Sequence, residues 1–157
     1  MKIFLRLANE TDESRLLEWR NDERIRSMFF QPEIVAHDVH SEWFRNTILT
    51  RKSLCFLGFE VPSFDSPGVG YCRFDPVGVR FFEVSILISP DKQGKGLAGL
   101  LLAEACSELK NFVATPVRLI AKVKEDNPRS VRLFESAGFT ASEVDTESIK
   151  ILEKNLI

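Results

Sequence analysis

The feature that most constrains this chain is a change of period across a loop that carries two glycines. Arg80 to Ile88 reads as a β-rich run, whereas from Leu97 onward the apolar residues Leu97, Leu101, Ala105, Leu109 and Phe112 recur along one helical face until Thr115-Pro116 ends it. Between them lies Ser89-Pro90-Asp91-Lys92-Gln93-Gly94-Lys95-Gly96. A strand that feeds such a loop, with the loop opening directly into a long helix, requires a sheet with a helix layered against it.

The flanking sequence fills in that arrangement. Lys2 to Leu7 alternates as a strand, and Thr11-Asp12-Glu13 supplies a cap and an acidic first turn for a helix with Leu16, Leu17 and Trp19 on its apolar face. Ile25, Met28 and Phe29 predict a second short helix, and Val39, Trp43, Phe44 and Ile48 a third. Ser53 to Val61, Val69 to Phe74 and Arg80 to Ile88 then form an expected antiparallel meander, broken by the segments 62–68 and 75–78. Val117, Leu119, Ala121 and Val123 alternate with Arg118, Ile120, Lys122 and Lys124 as a strand with one apolar face. A last helix is bounded by Asn127 as cap, Pro128 at its first position and Gly138 just past its end. Thr140 to Val144 and Ser148 to Leu152 are read as the final strands. The class is mixed α/β with a mostly antiparallel sheet, in one domain spanning 1–157 without repeat or linker.

Composition limits the partners. Lys and Arg number 21 against 23 Asp and Glu, a net charge of −2 with no basic block, which argues against nucleic acid or an anionic membrane surface. Cys55, Cys72 and Cys106 lie far apart in apolar runs, as core thiols do, and with His37 and His40 they make no convincing metal set, so no metal is expected. No apolar run approaches a membrane span and no leader pattern follows Met1, so the expected location is the cytoplasm.

An anion must then be held locally, and the loop is built for it. Glycines at 94 and 96 let successive N–H groups turn toward one point, where the helix N-terminus adds about half a positive charge. A diphosphate fits that description. The loop is neither a Walker loop, lacking the Gly-Lys-Ser/Thr that would supply a magnesium ligand, nor the three-glycine dinucleotide fingerprint.

Gln93-Gly94-Lys95-Gly96-Leu97-Ala98 resembles the acetyl-CoA loop of the Gcn5-related N-acetyltransferases, patterned Arg/Gln-x-x-Gly-x-Gly/Ala. Downstream, Asn127 to Phe139 resembles that family's second cofactor segment, Asn-x-x-Ser-x-x-Leu-Tyr/Phe-x-x-x-Gly-Phe, with Asn127, Arg132 and Phe134 as its expected cofactor contacts. The resemblance spans essentially the whole chain. It implies acetyl-CoA as acyl donor and a strand whose backbone at Ile86, Leu87 and Ile88 pairs with the pantetheine arm and holds the thioester carbonyl. Glu83, on the same strand, is the candidate base toward the attacking amine. The family's usual acid is a tyrosine where this chain has Phe134, and the chain's single tyrosine is Tyr71, so the acid is left unassigned.

Trp19-Arg20-Asn21-Asp22, the later His40-x-x-Trp43-Phe44 and the stretch Gly70 to Asp75 are similar to the subgroup that acetylates amino groups of nucleotide-linked sugars on the way to pseudaminic-acid-type nonulosonates. That similarity implies a small-molecule acceptor, the 4-amino group of a UDP-linked amino-deoxy sugar, bound by Arg20, His40, Trp43 and Arg73. Trp19, Trp43 and Phe44 fit core positions equally well, as does His40. Two other readings stay open: acetylation of protein N-termini, as by ribosomal-protein acetyltransferases, and a non-catalytic acyl-CoA-binding module. The chain is expected to act as a monomer or a homodimer paired through its final strand.

Overall fold

The computed structural model describes residues 1–142 and 148–157. Seven strands form one sheet in the order β1-β2-β3-β4-β5-β7-β6, where β1 is Phe4–Leu7, β2 Leu54–Phe59, β3 Gly70–Gly78, β4 Phe81–Ile88, β5 Val117–Lys124, β6 Thr140–Ala141 and β7 Ile149–Leu156. Every pairing is antiparallel except β4 with β5. The helices are α1 (Glu13–Asn21), α2 (Glu23–Arg26), α3 (His37–Trp43, continued by a π-type turn at Phe44–Ile48), α4 (Leu97–Leu109) and α5 (Pro128–Ser136).

Two apolar layers result, because alternate residues of each strand face opposite ways. On one side Phe56, Cys72, Phe74, Val84, Ile88, Leu119, Ala121 and Leu152 pack under Leu97, Leu101, Leu102, Ala105 and Leu109 of α4 and Phe134 of α5. On the other, Cys55, Leu57, Phe59, Tyr71 and Leu87 pack under Leu16, Ile25, Phe44 and Ile48. Gly58 lets α4 approach, since a Cβ there would lie 2.8 Å from Leu101 Cδ1. Gly70 is more strictly required: its φ is +152° and a Cβ would meet the carbonyl oxygen of Leu87 at 2.0 Å.

Several sequence expectations need correction. Residues 75–78 are not a turn; β3 runs through them to Gly78, with a bulge between Pro76 and Gly78 that accommodates a residue lacking an N–H donor. A 3-10 turn at Glu10–Asp12 precedes α1 and is capped by Asn9, whose side chain accepts from Thr11 N while Asp12 accepts from Asn9 N; the cap position of α1 itself is Asp12, whose side chain makes no cap bond to that helix. Met28 and Val39 stay exposed, and α4 stops at Leu109, which leaves Phe112 half exposed beyond it. The expected strand Thr140 to Val144 is seen at Thr140–Ala141, and its end falls outside the described residues. The final strand is not an edge, because β7 lies between β5 and β6. The alternation of β5 and the boundaries of α5 are as expected: Asn127 Oδ1 accepts from Ser130 N at 3.2 Å and Gly138 has φ +94°.

Candidate active site

The glycine loop is held by its own strand. The Gln93 side chain donates to the carbonyl of Ile88 at 2.7 Å, closing the loop back on the end of β4, so it braces the turn instead of pointing outward. Gly94 and Gly96 both have φ +72°, and a Cβ at Gly94, Gly96 or Gly99 would meet nothing within 4 Å. Gly96 is also the cap residue of α4 and, having no side chain, makes no cap bond to the first amides of that helix. A left-handed loop, uncapped amides, the positive end of a thirteen-residue helix and open space in front of them make a cradle for a diphosphate. Lys95 is exposed beside it, Ala98 is half-buried, and Leu97 turns its side chain into the core.

Beside the loop the sheet divides. β4 pairs with β5 only at Phe81 with Arg118, Phe82 with Leu119 and Glu83 with Ile120. Beyond Glu83, β4 from Val84 to Ile88 remains paired to β3 alone, and β5 from Ala121 to Lys124 to β7 alone. The two strands therefore form a fork whose closed end is at Glu83 and whose open end meets the glycine loop. Ile86, Leu87 and Ile88 lie along one of its edges, where an extended amide-bearing chain can add as a strand.

Side chains around the closed end form a polar patch on the face of the sheet that carries α1–α3. Lys122 Nζ is 3.4 Å from Glu83 Oε1. Asp75 stands directly across from Glu83 on β3, and Arg73 Nε donates to both its carboxylate oxygens at 3.0 and 3.1 Å. The Arg73 guanidinium also lies over the Trp43 ring at 5.2 Å. Burial works against its charge, but Tyr71 and Asp75 outweigh it and hold the Arg73 pKa above its ordinary value. Tyr71, opposite Leu87, is buried, and that burial raises its phenol pKa.

The residues before α3 turn out to build a wall. Arg20 stacks on Phe29 at 4.0 Å and donates through Nη2 to the Gln31 carbonyl. Asn21 exchanges two hydrogen bonds with Val35, at 2.9 and 2.8 Å, and Asp22 caps α2 through Arg24 N. Lys124 reaches from β5 to the carbonyls of Ser27 and Phe29 at 3.5 and 3.4 Å, which moors this wall to the far side of the fork. Arg20 keeps one buried nitrogen, Nη1, without a hydrogen-bond partner among the described residues, and burial lowers its pKa. His40 is 5 % exposed, packed on Trp43 and Phe44 with ring centroids 5.5 and 6.0 Å away, and burial lowers its pKa as well.

The structure thus brings Glu83, Arg73 and Trp43 together at the fork and sets Arg20 in the wall above it, while His40 belongs to the packing behind Trp43. In the second segment Asn127 caps α5, Arg132 is exposed on it, and Phe134 is a core residue, 3 % exposed and edge-on to Phe139 at 5.1 Å. Sequence reasoning missed Asp75 and Lys122. The polar phase of β5 was visible, but the register that sets Lys122 against Glu83 was not.

A family model, described as an acetyltransferase (GNAT) domain, matches residues 2–140. The chain belongs to the GNAT acetyltransferases. Its fold is similar to that of spermidine N-acetyltransferase from Vibrio cholerae in complex with CoA and spermine, with TM-score 0.85, 21% identity and coverage of 99% of this chain and 96% of that one. It is also similar to a domain from Methanocaldococcus jannaschii DSM 2661, with TM-score 0.81, 26% identity and 99% coverage of both. The structure of yncA from Salmonella typhimurium with acetyl-CoA matches at TM-score 0.77 and 20% identity over 100% and 95% of the two chains. No curated protein matches the sequence. As a GNAT enzyme the protein is an N-acetyltransferase that uses acetyl-CoA, and the loop and fork fit that donor: a diphosphate cradle at one end and an unpaired strand edge leading to a carboxylate at the other. Among the described residues there is no cluster able to hold a metal, and no helix is long and apolar enough to cross a membrane.

Proposed function

We propose that this GNAT enzyme, as one domain over residues 1–157, transfers acetyl from acetyl-CoA to the primary amine of a small, oxygen-rich acceptor, the 4-amino group of a UDP-linked amino-deoxy sugar. The donor's diphosphate lies on the amides of 94–98 with Asn127 and Arg132 flanking it, and its pantetheine arm pairs along Ile86–Ile88. The amine approaches from the α1–α3 side and attacks the thioester directly, with Glu83 taking its proton.

One observation carries the choice of acceptor: the charge balance at the fork. Both carboxylates there, Glu83 and Asp75, already face a cation, Lys122 and Arg73, whereas Arg20 holds a buried N–H with no acceptor among the described residues. A polycation would have to displace those cations and would leave the Arg20 donor unsatisfied. A ligand carrying phosphate or hydroxyl oxygens satisfies it. The aromatic face of Trp43 beside Arg73 suits a sugar ring or base. Spermidine is the acceptor named for the Vibrio cholerae structure, but at 21% identity that likeness speaks for the fold.

The test follows CoA thiol release with three panels: UDP-linked 4-amino-4,6-dideoxy sugars, spermidine and spermine, and peptide N-termini. Turnover of a sugar at least ~10-fold above the others, weakened by Arg20→Met, is the expected result. Preference for the polyamines or the peptides overturns the acceptor, and cofactor binding without any turnover points to a non-catalytic module.

A further inference from the structure

Phe134 cannot donate a proton, so the departing thiolate needs another source. The inference drawn here rests on acetyl transfer with Glu83 as base and is independent of which amine is used. On the acceptor face, the strands bordering the fork carry Glu83, Ser85 and Leu87 on β4 and Ile120, Lys122 and Lys124 on β5. Lys124 is engaged by the carbonyls of Ser27 and Phe29. Tyr71 stands on β3, on the side of β4 away from the fork, and Arg73 is bonded to Asp75. Lys122 is left. It lies two residues past Ile120, the last rung partner of Glu83, on the same face, so its ammonium reaches back across the opening. Glu83 is its one polar partner among the described residues, at 3.4 Å, and its side chain is 44% exposed.

We infer that Lys122 is the general acid of the transfer and that it exchanges its proton with Glu83 across the closed end of the fork. The amine lone pair bonds to the thioester carbon, the carbon–sulfur bond breaks, and its electron pair leaves on sulfur. The amine proton goes to the Glu83 carboxylate, and the Lys122 ammonium gives a proton to the sulfur. The proton on Glu83 then passes over the short gap to the Lys122 amine and restores the ion pair. Reactants and products balance as acetyl-CoA plus amine to amide plus CoA thiol. An alkyl ammonium holds its proton more tightly than a thiol does, so the transfer to sulfur runs mildly uphill and is drawn on by the return of the proton from the Glu83 carboxyl to the Lys122 amine.

The experiment titrates CoA bound to the wild type and to Lys122→Met and Lys122→Arg by thiolate absorbance, alongside turnover and acetyl-CoA affinity. The protein's own thiols stay silent in the useful range, because burial pushes Cys106 up to about 11, Cys55 up to about 12 and Cys72 well above its ordinary value. In the wild type, bound CoA should ionise at least ~1 pH unit below free CoA. That shift should vanish in Lys122→Met and persist in Lys122→Arg, while both lose ~10²-fold in kcat with acetyl-CoA affinity held within ~3-fold. An unchanged thiol titration in Lys122→Met, or wild-type turnover in Lys122→Arg, overturns the role of Lys122. A wild type that binds acetyl-CoA but acetylates no amine overturns the acetyl-transfer reading instead, and the titration still reports on the lysine.

Discussion

On the proposed reading, the donor side and the acceptor side of this enzyme are built from different materials. The donor side is backbone: a left-handed loop at Gly94 and Gly96, the amides that open α4, and one edge of β4. The acceptor side is side chains, and those side chains already spend hydrogen bonds within the protein, Arg73 on the Asp75 carboxylate, Arg20 on the Gln31 carbonyl and Asn21 on the backbone of Val35. A backbone site writes itself into the sequence as glycines at fixed spacing. A side-chain site depends on register and on loops folding back, and leaves only residues whose partners are far away in the chain.

Five experiments probe that contrast. The largest effect is expected from Glu83→Gln, which should lower kcat by ~10²-fold or more while acetyl-CoA affinity, measured by calorimetry, stays unchanged, separating side-chain chemistry from backbone binding. An equal loss in affinity would mean that the two sides are not separable. Gly70→Ala should cost about 3 kcal/mol or more of unfolding free energy in urea, because the new Cβ and the Leu87 carbonyl cannot both keep their places. Gly96→Val should weaken acetyl-CoA binding ~10-fold or more through the φ of +72°, whereas Lys95→Ala should stay within ~3-fold. The reverse order would make the site a lysine site. Asn21→Ala removes two hydrogen bonds to Val35 and should cost about 1–2 kcal/mol, with a raised KM for the acceptor and none for the donor.

The smallest effect concerns the packing behind the site. Burial lowers the His40 pKa below its ordinary 6.5, with Glu13 opposing and His37 adding to the shift. The unfolded chain therefore binds the proton more readily, so stability contributed at this position is present above about 6.5 and lost as pH falls toward the folded value. Thermal midpoints of the wild type should drop through that window, and those of His40→Phe should drop less. Parallel curves would place the acid sensitivity elsewhere.

What could be read from the sequence follows the same division. The loop at 93–98, the alternation of β5 and the Asn127, Pro128 and Gly138 signals of α5 are local devices, and each does in the fold what its residue types require. Gln93 was legible as part of the loop but not as its brace, since its partner is a carbonyl on the preceding strand. Pro76 read as a turn because proline breaks ladders, and the bulge that excuses it is visible only in the pairing. The Trp19 to Asp22 stretch was legible as a pattern, while its work of pinning the segment from Gln31 to Val35 needed the fold. Lys122 escaped because nothing in one strand announces the residue that faces it on another.

The parting of β4 from β5 also acts as a ruler. From the rung at Glu83 to Ile88 the open stretch is five residues, about 17 Å of extended chain. An arm anchored by its diphosphate at the glycine loop has that length to run before the sheet closes ahead of it. With the donor placed as proposed, its tip stops beside the last rung, and the size of the acyl group that fits is set by where two strands resume their hydrogen bonds.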